Sequence, residues 1–218
     1  MNQQLRQRHD VRQSQILQAV GKLIITKGMD SVTMHDIAAE VGVSEAALYR
    51  HFTNKRAILL LLLDRWEETL LSTVRGGKFF RIPVLDNLER AFWAQLGDVE
   101  DYKSLSFIIM VEAIALEGIS GLSARVAEIL TNYLDAIKKI LQRGIYEGVI
   151  REDINVEAAA TIYFGMIQST ATLWALNDYT PSLAEHRTQM WQIFRRGVMG
   201  TSPTPLAEQK EMGARTLG

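Results

Sequence analysis

Tyr49, Arg50 and His51 stand together near the end of a short segment that opens with Ser44-Glu45-Ala46-Ala47. Tyr, Arg and His donate hydrogen bonds to phosphate oxygens or to base edges. Small residues at the leading end of a helix let it approach a surface closely. The chemistry this arrangement suits is the reading of double-stranded DNA by a short helix. The same three side chains also suit the solvated face of a helical bundle, and residue types alone do not separate the two.

Catalytic and metal chemistry have little to work with. The four histidines, at positions 9, 35, 51 and 186, show no ligand-like pairing one helical turn apart. The chain has no cysteine, which removes disulfides, thiolate zinc sites and cysteine nucleophiles. No glycine loop of the kind that cradles phosphates occurs. The expectation is a protein that is not an enzyme and needs no metal or cofactor.

The elements that must position these side chains can be read from the spacing around them. Ile37, Ala38 and Val41 repeat at helical intervals. Thr33 with Asp36 three residues on resembles a capping box, and Gly42 suits the left-handed residue that ends a helix. Val43 plugs the turn. Ser44 caps the next helix, and Glu45 complements its positive end. Leu48 and Phe52 then point inward. Two short helices across a tight turn, followed at once by a longer one, form a helix-turn-helix, whose second helix enters the major groove.

The residues Val41-Gly42-Val43-Ser44, Leu48-Tyr49-Arg50-His51-Phe52 and Asn54-Lys55 resemble the signature of the TetR family of bacterial transcriptional regulators. Upstream, Ile16-Leu17-Gln18-Ala19, Lys27-Gly28 and Thr33-Met34-His35-Asp36-Ile37-Ala38 are similar to the same domain, so the resemblance covers residues 10 to 70. Ile24 stands where the family usually has an aromatic residue, a conservative core change. The resemblance implies phosphate contacts from Thr33 and Lys55 at the starts of their helices and from Tyr49 and His51. It places Glu45, Ala46, Ala47 and Arg50 nearest the bases. His35 and Ser44 complete the candidate DNA-binding set.

Composition is consistent with this. The chain has 218 residues, 47% of them hydrophobic, and four prolines, enough for a sizeable helical core. Residues 1 to 56 hold eight Lys and Arg against five Asp and Glu, a net of +3, while the remainder carries −4. The basic excess falls in the segment expected to meet DNA. Arg6, Arg8 and Arg12 lie ahead of or at the start of the first helix, where they suit an arm on the phosphates or an ordinary frayed terminus equally. The polar start MNQQLRQRHD carries no secretory signal, and the longest apolar run, Ala57 to Leu63, is too short to span a bilayer. A cytoplasmic location is expected.

The pattern predicts an all-α chain of about nine helices. Beyond the pair already described, helices are expected over about Val11 to Lys27, Lys55 to Val74, Pro83 to Leu96, Tyr102 to Leu116, Leu122 to Tyr146, Asn155 to Leu176 and Ser182 to Val198. Gly97-Asp98 is expected to end the Pro83 helix, and Ser182 to cap the last one. Ile58, Leu62, Trp66 and Leu70, widened by Leu59 and Leu63, make the Lys55 helix apolar on more than one side. It is therefore expected to lie between two parts of the molecule. A DNA-binding domain over 10 to 70, a helical domain over 78 to 198 and a mobile tail over 201 to 218 follow.

Resemblance thins in the second domain, where Gly148-Val149-Ile150-Arg151-Glu152-Asp153 and Glu157-Ala158-Ala159 still look like the family's loop into its eighth helix. The family pairs its last two helices across a dimer. Ala158, Ile162, Gly165, Ser169 and Leu173 mix small and apolar side chains, and Trp191, Ile193 and Phe194 offer anchors. These suit a homodimer interface. Phe92, Trp93, Phe107, Met110, Tyr133, Tyr163, Met166 and Trp174 are large or adaptable side chains suited either to core or to a hydrophobic effector pocket. Glu112, inside the apolar run Phe107 to Leu116, suits the counter-ion of a cationic ligand or a solvated position.

The combined expectation is a ligand-responsive repressor that binds a near-palindromic operator as a homodimer and is released by a small hydrophobic effector. Two alternatives remain. Nucleoid-associated cell-division inhibitors of the SlmA type carry a very similar Val-Ser-Glu-Ala-Ala-Leu-Tyr-Arg-His-Phe run. A helical small-molecule-binding protein without specific DNA binding would retain only the bundle.

Overall fold

The computed structural model describes residues 2–75, 82–101, 121–180 and 182–200. Among these it forms eight helices and no strand: α1 (Asn2–Lys27), α2 (Met34–Val41), α3 (Glu45–Tyr49), α4 (Lys55–Arg75), α5 (Val84–Asp101), α6 (Leu122–Tyr146), α7 (Val156–Leu176) and α8 (Ala184–Val198). The helix expected from Tyr102 to Leu116, with Phe107, Met110 and Glu112, lies outside the described residues. No helix among those described is long and apolar enough to cross a membrane.

Three boundaries differ from expectation. Helix α1 begins at Asn2 and not near Val11, so Arg6 and Arg8 are helical residues. Helix α5 runs through Gly97-Asp98 to Asp101. A lone glycine costs a helix only about 1 kcal/mol, and the apolar residues Leu96 and Val99 on either side are both buried. Ser182 does not cap α8. Leu183 occupies that position without a side-chain cap, and the Ser182 hydroxyl donates to Glu100 Oε1 at 2.8 Å.

Two cores share one helix. The first gathers Ile16, Val20 and Ile24 of α1, Ile37 of α2, Leu48 and Phe52 around α3, and Ile58 to Trp66 of α4. Leu122, Val126 and Ile129 of α6 close it from the other side. The second gathers Val74 of α4 with the inner faces of α5, α6, α7 and α8, while Leu70 packs against both. Helix α4 thus runs from one core into the other, as its apolar stripe predicts.

Two local features fix the second core. Gly144 brings α6 against its neighbours: a Cβ there would stand 2.5 Å from Ile150 Cδ1 and 2.9 Å from Val84 Cγ1. An isolated antiparallel bridge joins Ile150 to Met199, with the Arg151 amide donating to the Val198 carbonyl at 3.0 Å. The loop that precedes α7 is thereby tied to the end of α8.

Candidate DNA-reading surface and effector domain

The turn between α2 and α3 is built as its residues predict. Thr33 accepts from the Asp36 amide at 3.1 Å, and the Asp36 carboxylate accepts from the Thr33 amide at 3.0 Å, a reciprocal capping box. Gly42 ends α2 at φ 74°, a conformation that costs other residues steric strain. The Ser44 hydroxyl oxygen accepts from the Ala47 amide at 3.2 Å and so caps α3. With Leu48 and Phe52 buried beneath it, α3 is held at both ends by its own sequence.

This fixes what faces outward. Tyr49 is 49% exposed, and Glu45, Ala46 and Arg50 are exposed with it. Ala47 and His51 are half-buried. His35, on the first turn of α2, reaches across the turn to Glu45, with Nδ1 and Oε1 2.8 Å apart.

Two of the residues assigned to phosphate are already engaged. The Thr33 hydroxyl donates to Asp36 Oδ2 at 2.7 Å. The Lys55 ammonium donates to the Met29 and Asp30 carbonyls at 3.2 and 2.8 Å, leaving one of its three N–H bonds for a phosphate. The Lys27 ammonium 2.6 Å from Asp36, together with Thr33, holds the Asp36 carboxyl well below the usual carboxylate range. The Lys55 and His35 contacts link residues far apart in the chain, and no local periodicity announces them.

In the second core, Phe92, Tyr133, Tyr163 and Trp174 are buried, and Trp93 and Met166 are half-buried. The rings pack on one another: Phe92 and Tyr163 at 6.1 Å between centroids, Tyr163 and Phe194 at 5.5 Å, and Tyr133 and Phe164 at 5.8 Å. The Arg187 guanidinium lies 4.5 Å from the centre of the Trp93 ring. A hydrogen-bonded chain threads this apolar region. The Tyr133 hydroxyl donates to Gln95 Oε1 at 2.7 Å, and Gln95 Nε2 donates to Thr73 Oγ1 at 2.8 Å. Thr73 in turn donates to the Leu70 carbonyl at 2.7 Å. The Tyr163 hydroxyl donates to the Leu88 carbonyl at 2.7 Å. Burial raises the pKa of both tyrosines above that of a free phenol, so they remain hydroxyl donors. Helices α6, α5 and α4 are thus joined by polar as well as apolar contacts.

An open groove of about 440 Å³ lies elsewhere, between the end of α7 and the start of α8. Ser169, Leu173, Trp174, Asn177, Met190 and Ile193 contribute to its walls. Among the predicted pocket residues Trp174 lines it, and Ser169 and Leu173 come from the predicted interface.

The interface residues divide. Ile162 and Leu173 are 58% and 60% exposed, Ala158 and Ser169 are exposed, and Gly165 is half-buried, so α7 presents a continuous outward stripe. Trp191 and Phe194 do not join it. They are 2% and 5% exposed, because α8 turns them toward Phe92 and Tyr163, and Ile193 (73% exposed) faces outward in their place.

The three-helix head with a capped reading helix, fused through a shared helix to an aromatic-lined bundle, is the architecture of a DNA-binding regulator. The model of the bacterial regulatory proteins of the tetR family matches residues 16–62, and that of the YsiA-like C-terminal region matches residues 90–197. The chain belongs to the TetR family of bacterial transcriptional regulators. It is similar to the fatty acid metabolism regulator protein of Bacillus subtilis, 26% identical over 192 residues that cover 84% of this chain and 94% of that protein. It is 28% identical to the nucleoid occlusion factor SlmA of Shewanella sediminis, covering 86% and 95%. Its fold is that of the regulator FadR from Bacillus subtilis in complex with stearoyl-CoA, with a TM-score of 0.71 at 24% identity, covering 85% and 98%.

Proposed function

We propose that this protein is a cytoplasmic repressor that binds a near-palindromic operator as a homodimer and releases it when a fatty acyl thioester enters the second domain. The observation that carries this reading is the path from the buried rings to the reading helix. The Tyr133–Gln95–Thr73 chain ends on α4, and α4 is part of the core on which α2 and α3 sit. A molecule that repositions α5 or α6 therefore repositions α4. An effector acts only through its different affinity for the two arrangements.

The α7 stripe and Ile193 support the homodimer, since exposed apolar side chains in a row mark an interface. Two reading helices about 34–36 Å apart would meet successive major grooves on one side of the duplex. Operator binding there excludes polymerase, which makes repression the expected sign. Two features favour a long-chain thioester: the apolar, aromatic-rich interior of the second domain, and the similarity to a protein solved with stearoyl-CoA.

The experiment is a selection of bound genomic fragments with the purified chain, followed by titration of the complex with saturated acyl-CoAs of increasing length. Release at micromolar long-chain acyl-CoA, and none with free CoA, is the expected result. Binding that no acyl-CoA weakens overturns the effector assignment. The resemblance to nucleoid occlusion factors favours a second reading, in which DNA binding persists and a tubulin-like division protein co-purifies.

A further inference from the structure

The reading face holds one carboxylate among donors. Glu45 is the first residue of α3, exposed beside Ala46, and its Oε1 lies 2.8 Å from Nδ1 of His35. Phosphates repel a carboxylate, and the affinity of DNA-binding surfaces comes from cations. A carboxylate in such a surface is tolerated where a base edge presents a donor to it. In the major groove cytosine offers its N4 amino group, while guanine and thymine offer acceptors at the corresponding edge. Adenine also offers an amino group, but its N7 acceptor lies next to it and would face the second carboxylate oxygen. Cytosine has only a C–H there.

The surroundings leave Glu45 and His35 as the side chains able to carry such a reading at this end of α3. The Ser44 hydroxyl accepts from Ala47, and Ala46 and Ala47 have no polar group. Asp36 is held by Lys27 and Thr33. His35 occupies one oxygen of Glu45, and the other has no partner among the described residues. A long, flexible side chain otherwise loses rotamer freedom when it meets a base. The imidazole removes part of that loss in advance by fixing the carboxylate across the turn.

We infer that Glu45 reads a cytosine in each operator half-site and that His35 is its positioning residue. This rests on the DNA-binding reading of α3. The test is selection from randomised double-stranded DNA by the full chain, with the wild type, Glu45→Gln, Glu45→Ala, His35→Ala and His35→Gln compared at one salt concentration. Anisotropy titrations then use the selected operator and its three variants at the position in question.

The wild type should prefer cytosine over thymine at one symmetric position about tenfold, the range of a single base contact. Glu45→Gln should move that preference to adenine, whose N6 and N7 match an amide. Glu45→Ala should flatten it and leave the rest of the consensus unchanged. His35→Ala should reduce the cytosine-to-thymine ratio severalfold, and His35→Gln, which keeps a donor, should restore part of it. An unchanged base profile in both Glu45 variants overturns the assignment while leaving the reading helix intact. A wild type that selects no consensus overturns the reading helix itself, and this inference with it.

Discussion

Arg125 of α6 donates through Nε to Asp64 of α4 at 2.9 Å, and the same guanidinium reaches Glu67 one turn further along α4. Glu128 of its own helix takes a third contact at 2.9 Å, and Asn132 donates to the other oxygen of Glu67 at 2.7 Å. One largely buried cation is thus gripped between the shared helix and the long helix of the effector domain. The carboxylates hold the Arg125 proton more firmly than usual against the opposing effect of burial.

Removing that cation leaves two carboxylates of α4 facing each other without it. Arg125→Met should lower the unfolding free energy by about 2 kcal/mol, less than for a fully buried pair because Asp64 is half exposed. It should also reduce the response to effector more than it reduces operator affinity in its absence. Chemical denaturation and paired operator titrations measure the two effects. Equal losses in both states would place Arg125 in stability alone.

Glu67 gives that junction a pH dependence. Its hydrogen bond from Asn132, followed by the contacts with Arg125, holds its carboxyl below the ordinary value of 4.5. A group whose pKa is lowered by folding stabilises the fold fully above its unfolded pKa and loses that contribution as pH falls through the folded one. The contribution of Glu67 should therefore be full and independent of pH near neutrality and decline below about pH 4.5. Denaturation midpoints of Glu67→Gln should start lower at pH 7 and fall less steeply toward acid than those of the wild type.

Tyr49 is half exposed, and Leu48, the residue beside it, anchors α3 to the core. Tyr49→Ala should therefore weaken operator binding roughly tenfold, the worth of one hydrogen bond to a charged group, without altering fold or oligomeric state. Anisotropy and light scattering on the same preparation decide this. Unchanged affinity removes Tyr49 from the interface.

Ile193 projects from α8 with 73% of its surface exposed, beside Leu173. Ile193→Asp should weaken association by at least about 2 kcal/mol, roughly thirtyfold, if this face joins two copies. Light scattering across a concentration series reads the shift to monomer. A dimer that tolerates the aspartate must use another face.

Much of this was legible where the signal is local. Thr33, Gly42 and Ser44 sit within four residues of the groups they cap, so their types announce the turn. The apolar circumference of α4 announces its place between two cores for the same reason. Helix α8 was less readable because Trp191, Ile193 and Phe194 span its circumference. Which of them points inward is decided by Phe92 and Tyr163, a hundred and about thirty residues away. Gly97 misled because buried neighbours override a weak helix propensity. His35 and Glu45 were each singled out, but their contact crosses a turn and has no periodicity.

The anchoring of Lys55 bears on how the operator is chosen. Its ammonium ties the first residue of α4 to the carbonyls of Met29 and Asp30, just past the end of α1. A tilt of α4 then carries the whole head as a single piece instead of shearing it. Each head would keep the same half-site vocabulary in either state of the molecule. In a dimer, what would change is the punctuation, the number of base pairs tolerated between the two halves.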